Sequence, residues 1–465
     1  MTVSGLLTVA LAVVGLLIVV FVGITIATIP AETAIAIAVG AVIIFLIFYH
    51  TAFGLYLLII SMLLSPEITI AETPARSLTV RAEDFLLMLI LFTWLAKTAF
   101  NKGLAFFHPS PLNTPIFVYS VICALSTSLG VLRGDVSPPS GFFFVVKFIE
   151  YFLVYFMVLN IVETRQDARN LIVVLLITCA IVSVYGITQI RSVERVTAPF
   201  EGKHGEPGTF GGYLTLVLAL VVSFFIYTDR PRLKILFGLL ALIIVFPLLN
   251  TLSRASYMAF FPTFIVLFLV SRRRGFLGWL LGLSLIILPF IAPALQPFID
   301  RASYTFQEGR LDPSSQERVD RAVIIFSRDW LEYPLLGAGV TGRGFIDGQY
   351  FRVLAETGGL GLLSFLWILF RIYRMAMRTY KESPHRFDQA VSLGFLSGFV
   401  GLLFHAVTVN TFIVVRIMEP FWCIAGIVAM LDHLNRQETA EVEGGLKLEA
   451  RRSPLTPPVA ISRGT

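Results

Sequence analysis

"TFGGYLTLVLALVVSFFIY", Thr209 to Tyr227, contains no charged residue. As a helix rising about 1.5 Å per residue, it reaches about the 30 Å thickness of a bilayer's hydrocarbon core. A short apolar run can be a strand or a buried helix. One of this length reads as a membrane span.

Similar runs recur along the chain. They fall near 5–29, 31–48, 51–65, 84–100, 114–132, 141–162, 170–190, 209–227, 234–250, 254–270, 275–292, 351–370, 389–409 and 411–431. The sequence therefore predicts an all-α, polytopic transmembrane bundle of 12–14 spans. Of the 465 residues, 56% are hydrophobic and only 14% are charged, whereas a soluble domain is about a quarter charged. The net charge of +6 belongs to loops and gives no sign of a nucleic-acid partner. Cys123, Cys179 and Cys423 lie inside apolar runs, so they read as small buried residues rather than disulfide partners or metal ligands. The first run has no basic start and exceeds a signal-peptide core, so it reads as a retained span.

Basic residues orient the spans. Arg165 and Arg169 mark one connection, Arg230, Arg232 and Lys234 a second, and Arg272, Arg273 and Arg274 a third. Arg371, Arg374, Arg378, Lys381 and Arg386 mark a fourth. Such clusters face the cytoplasm, and an even number of spans separates each from the next, which puts both termini inside. The organisation expected is spans over 1–291, a long outward loop over 292–350, further spans over 351–432, and a polar tail without order over 433–465.

Arginines also stand on the outward side. "QIRSVERVTAPFEGKHGEPGTFGGYL" carries Arg191, Arg195, Lys203 and His204. "LLNTLSRASYMAFF" puts Arg254 at the mouth of a span. The long loop adds Arg301, Arg310, Arg318, Arg321, Arg328 and Arg343. Guanidinium groups bind phosphate through paired planar hydrogen bonds, and several converging outside a membrane suit a lipid-linked pyrophosphate. Solvated or headgroup-bound arginine is the plain alternative.

Within the loop, "DPSSQERVDRAVIIFSRDWLEYP" reads as an amphipathic helix with Ser314 as N-cap, Glu317 as its capping-box partner and Pro334 as its stop. Val319, Val323, Phe326 and Trp330 form its apolar face, with Arg321 and Arg328 opposite and Arg318 beside them. In "PLLGAGVTGRGFIDGQY" the glycines allow tight turns whose amides can take an anion, or simply a tight re-entry to the membrane. Three charge pairs sit within spans at helical spacing: Lys147 with Glu150, Arg352 with Glu356, and Arg416 with Glu419.

"LNTLSRASYMAFF", "YPLLGAGVTGRGF" and "DGQYFRVLAETGGLGLLSFL", in this order and with the long loop between the first and second, resemble the O-antigen ligase and polymerase family. The resemblance covers roughly Gly186 to Leu369. It implies an integral inner-membrane glycosyltransferase whose donor is a glycan on undecaprenyl pyrophosphate. It implies no cofactor and no metal, with basic side chains stabilising the leaving group. A flippase and a chain-length regulator are the partners it brings. Carried over by position, Arg195 and Arg254 are the best pyrophosphate contacts and Arg318 or Arg321 the next, with Arg191 and Arg343 nearby. Ligases, whose acceptor is lipid A–core, carry His-Asn where this chain has Asp347 and Gly348. "DGQY" is nearer to polymerase-like members, whose acceptor is another lipid-linked glycan. Asp347 is then a proton acceptor or sugar contact, or alternatively a helix N-cap. Tyr350 is a candidate for sugar stacking, and Arg352 with Glu356 for fixing the helix that carries Asp347. A flippase or small-solute transporter is the rival class.

Overall fold

The computed structural model describes residues 30–72, 77–100, 108–201, 205–273, 313–344 and 346–452. The spans expected at 5–29 and 275–292 lie outside these residues, as do Lys203, His204, Arg301 and Arg310. The chain divides into two compact units, Met1–Gly54 and Leu55–Thr465. The first contains α1, Ala31–Tyr49, whose Ile35, Val39, Val42 and Phe45 are exposed. α2, Thr51–Leu64, runs from the end of the first unit into the second.

An antiparallel hairpin follows, β1 (Glu67–Glu72) with β2 (Ser77–Arg81), and pairs Glu67 with Arg81 and Ile68 with Val80. The remaining elements are helical. They are α3 (Ala82–Phe100), α4 (Asn113–Arg133), α5 (Pro138–Ile161), α6 (Arg165–Gln189), α7 (Pro207–Tyr227), α8 (Pro231–Asn250) and α9 (Arg254–Val270). After these come α10 (Pro313–Ile324), α11 (Gln349–Glu382), α12 (Arg386–His405) and α13 (Val415–Arg452). Among the described residues, α4 to α8, α11, α12 and α13 are long and apolar enough to cross a membrane. Shorter apolar helices lie at Ile37–Tyr49, Thr51–Leu64 and Arg254–Val270. Apart from the hairpin, this is an all-α, multi-pass membrane protein.

The uncharged run Thr209–Tyr227 becomes the central helix. Apart from Phe225, every residue of that run is buried, as expected of a helix apolar on all sides. α12 lies directly against α7. A Cβ on Gly394 would fall 2.7 Å from the Leu220 Cα, so a larger residue would force the two backbones apart. Ser223 Oγ donates to Ala390 O at 2.7 Å across the same contact. α5 and α13 meet through aromatic rings, Phe152 on Trp422 at 5.0 Å and Tyr155 on Trp422 at 5.8 Å. Cys123, Cys179 and Cys423 are free and buried.

The four basic connections meet at one end of the bundle. Arg273 pairs with Asp229 at 2.9 Å, Arg386 also pairs with Asp229, and Arg272 donates to Lys381 O at 3.1 Å. Arg165 reaches Asp388 at 3.2 Å, Asn435 Oδ1 at 2.9 Å, and Glu438. The last two contacts fall in the first part of the tail expected at 433–465, of which 453–465 lies outside the described residues. Order does not stop at Asp432, because α13 continues to Arg452 and its first polar turns are tied to α6 and α12 through Arg165.

Candidate functional site

The opposite end is organised by a break in α11. Gly358 has φ +67°, and the helix is interrupted there. A Cβ at that position would fall on the backbone of Leu335, so glycine is required by both conformation and space. Interrupting a helix inside a membrane frees backbone groups that must find partners. The loop from Pro334 supplies them. Ala338 N donates to Ala355 O at 3.0 Å and Gly339 N to Glu356 O at 2.8 Å. In return, Gly359 N donates to Pro334 O at 2.8 Å and Leu360 N to Leu335 O at 3.1 Å. Ser126 of α4 donates to both Glu356 O and Leu336 O.

This corrects the anion-binding option for the glycine loop. The amides of Gly337, Ala338, Gly339 and Gly342 bond to backbone carbonyls. Val340 N donates to Thr127 Oγ1 at 3.2 Å and Thr341 N to Glu356 Oε1 at 3.1 Å. Of these donors, the Ala338 and Gly339 amides serve the broken helix, and the others bond within the loop or to neighbouring residues.

Arg352 and Glu356 form the expected pair, 3.0 Å apart and buried in the short segment before the break. Because Glu356 Oε1 also accepts from Thr341, the pair joins the helix to the loop that patches it. Arg416 and Glu419 do not pair. Arg416 instead donates to Pro199 O at 2.7 Å, Leu63 O at 3.1 Å and Phe200 O at 3.2 Å, and faces Glu201 at 3.9 Å. Lys147 and Glu150 do pair, at 2.9 Å.

Asp347 precedes the first turn of α11 but caps nothing, since the N-cap position is Gly348 and no side chain caps it. The Asp347 carboxylate is half-exposed and accepts from Arg318 Nε at 3.2 Å. Tyr350 is half-buried. It donates to Leu403 O at 2.9 Å, and its ring stands beside Phe365.

α10 begins at Pro313, one residue before the expected Ser314 cap, because proline suits the first helical position. A π turn over Ile325–Asp329 follows, then Trp330–Glu332, and the helix stops before Pro334. Val319, Val323 and Phe326 are 46%, 58% and 51% exposed, while Ile325 and Asp329 are buried. Arg318 and Arg321 point inward, Arg321 reaching Arg343 O at 3.2 Å and Asp329 at 3.6 Å. Arg328 is exposed. Arg343 bonds to Glu332, and that bond is the main reason the Glu332 carboxyl is held below its ordinary range.

The upstream arginines divide. Arg191 is exposed. Arg195 donates to Thr251 O at 3.1 Å and Leu252 O at 3.3 Å, and so lies against the turn that starts α9 with Arg254. The two groups of arginines occupy one end of the bundle, linked by the connection between α12 and α13. Gly208 faces Ser253 and Val409, His405 Nε2 lies 3.1 Å from Gly208 O, and Asn410 donates to Ile346 O at 2.6 Å beside Asp347.

Behind this end lies a small apolar cavity of about 20 Å³. Tyr119, Phe152, Phe365, Phe412, Met418 and Trp422 are among its walls. Gln349, two residues after Asp347, accepts from Phe412 N at 3.0 Å, so the rim of the cavity and the start of α11 are joined.

Sequence reasoning missed several residues that build this end. Arg133 donates to Gly337 O at 2.8 Å and lies over the Tyr333 ring at 3.7 Å. Ser126, Gln349, His405 and Asn410 are buried polar groups bonded across the bundle. The only linear signal for them was polarity within or next to apolar runs. No protein-family model matches this chain, and no curated protein matches it. What fold and site define is a class, a polytopic helical membrane protein with arginines from two connections at the end opposite its basic cluster.

Proposed function

We propose that the protein is a membrane glycosyltransferase that polymerises undecaprenyl-pyrophosphate-linked oligosaccharides into a surface polysaccharide, at the outer face of a bacterial inner membrane. The observation that carries this reading is the Arg318–Asp347 pair, at an end of the bundle where Arg195, Arg254, Arg321 and Arg343 also lie. The resemblance noted in the sequence supports the same chemistry.

In the proposed reaction an acceptor sugar hydroxyl attacks the anomeric carbon of the donor. The new carbon–oxygen bond forms as the bond to the pyrophosphate oxygen breaks, and polyprenyl pyrophosphate leaves with the electron pair. The hydroxyl proton passes to the Asp347 carboxylate, which Arg318 orients. Arg254, with Arg195 beside it, takes the growing negative charge on the diphosphate. The exposed apolar side of α10 rests in membrane lipid while Arg318 and Arg321 reach Asp347 and the Arg343 carbonyl. The basic connections then lie in the cytoplasm with both termini. A flippase that delivers the donor and a chain-length regulator are the partners this reading proposes.

Reconstitution with a synthetic undecaprenyl-pyrophosphate glycan tests the proposal. Longer lipid-linked chains are expected. Transfer to lipid A–core would make the protein a ligase. Transbilayer movement without a new glycosidic bond would make it a transporter. One observation favours that last reading, because transporters build sites at discontinuous helices such as α11 at Gly358. Among the described residues, however, no other helix has a left-handed residue in its interior, as a repeated transporter half would require.

A further inference from the structure

α3, α5 and α13 each bring a carboxylate to one point inside the bundle. The residues are Asp84, Glu150 and Glu419, and one oxygen from each lies within 4.8 Å of the others. Lys147 engages two of the three, at 2.7 Å from Asp84 Oδ1 and 2.9 Å from Glu150 Oε2. Glu419 is 0% exposed, and neither of its oxygens, nor Glu150 Oε1, has a hydrogen-bond partner among the described residues. Arg81 and Arg416 each face another carboxylate, Glu83 at 3.4 Å and Glu201 at 3.9 Å. A bare buried carboxylate is among the costliest groups a membrane-embedded bundle can contain.

The charges indicate what is needed. Three carboxylates against one ammonium leave two negative charges in excess. One divalent cation cancels them, and one proton cancels half. We infer that Asp84, Glu150 and Glu419 bind a hard divalent cation of the Mg²⁺ and Ca²⁺ class, which ties α3, α5 and α13 together. The donors are all oxygen, which excludes the thiolate and imidazole preferences of softer metals. Tyr151 follows Glu150, and Trp422 lies one turn beyond Glu419. Both line the apolar cavity, so the ion fixes two of its walls. The inference is independent of the reaction proposed above.

The test uses the full-length protein in nanodiscs of zwitterionic lipid, with Tb³⁺ as the probe and excitation through tryptophan and tyrosine. Saturable Tb³⁺ emission displaced by Ca²⁺ is expected. Glu419→Gln and Glu150→Gln should each weaken Tb³⁺ binding at least tenfold, while Glu163→Gln, at an exposed position, leaves it unchanged. In parallel, Ca²⁺ should raise the melting temperature of the wild type saturably, a readout that holds even where a glutamine variant fails to fold. Absence of saturable emission, or equal affinity in wild type and both cluster variants, overturns the site. So does a wild-type melting temperature insensitive to Ca²⁺ that rises only on acidification, because Glu419 then carries a proton.

Discussion

Asp347 and Asn differ little as helix caps, yet they differ entirely as partners for Arg318. Since Asp347 accepts from that guanidinium and caps no helix, Asp347→Asn is expected to lose at least about 100-fold in glycan transfer, the usual scale for a proton acceptor, while its melting temperature stays unchanged. Retention of near-normal transfer would assign the proton elsewhere. Arg254→Ala should abolish turnover without reducing membrane insertion, and near-normal product from that variant would remove Arg254 from the mechanism. Glu332 offers a test by pH. Its carboxyl sits below the ordinary value of 4.5 because Arg343 bonds to it. A carboxylate lowered on folding contributes stability above its unfolded value and loses it as pH falls through the lower folded value. Melting curves below about pH 4.5 should therefore fall more steeply for wild type than for Glu332→Gln. The effect should be small at this exposed site.

Among the elements, α11 carries the most consequence. Its two parts and the loop from Pro334 form one hydrogen-bonded unit, so Gly358→Ala should destabilise the protein by about 1–3 kcal/mol from backbone strain alone, plus the clash with Leu335. Thermal unfolding in detergent would measure it, and an unchanged melting temperature would mean that the break is not required. Arg352 and Glu356 act within the same unit. Removing either partner of a buried pair costs about 3–5 kcal/mol, so both single glutamine variants should unfold early. The double Arg352→Gln, Glu356→Gln variant should recover much of that loss, because the amide at 356 can still accept from Thr341 N. A charge swap would be a poor test here, since an arginine at 356 accepts nothing. α10 was legible as an amphipathic helix, but the direction of its faces was not. Periodicity locates an apolar stripe. It does not tell whether lipid or protein covers it, and here Arg318 and Arg321 take the inward side through Asp347, Asp329 and the Arg343 carbonyl.

For the whole molecule, the prediction concerns sidedness. The three native cysteines are buried, so they give little background to a membrane-impermeant maleimide. Ser192 and Glu382 are exposed, one beside Arg191 and the other beside the cluster at the basic end. In intact cells Ser192→Cys should be labelled and Glu382→Cys should not. The reverse pattern would invert the orientation, and labelling of both would contradict the separation of the two ends. That separation was readable in advance because arginine and lysine clusters recur after even numbers of spans. The hairpin was not read, although "EITIAE" and "SLTVR" alternate with β-branched residues in the manner of strands. Attention to long apolar runs hid a short pattern of a different period.

What the sequence determined by itself was the class: long uncharged runs have no stable place in water, and their length matches a bilayer. The positions of the helices and the Arg352–Glu356 pair followed from the same one-dimensional facts, since residues four apart on a helix are neighbours. Only the tertiary structure decided which arginine meets which acid. Arg416 leaves Glu419, three residues away, for carbonyls and a carboxylate more than two hundred residues distant. Glu419 in turn joins Asp84 and Glu150 from two other helices. In a low-dielectric interior each charge takes the partners that packing brings within reach, and sequence spacing cannot supply that information.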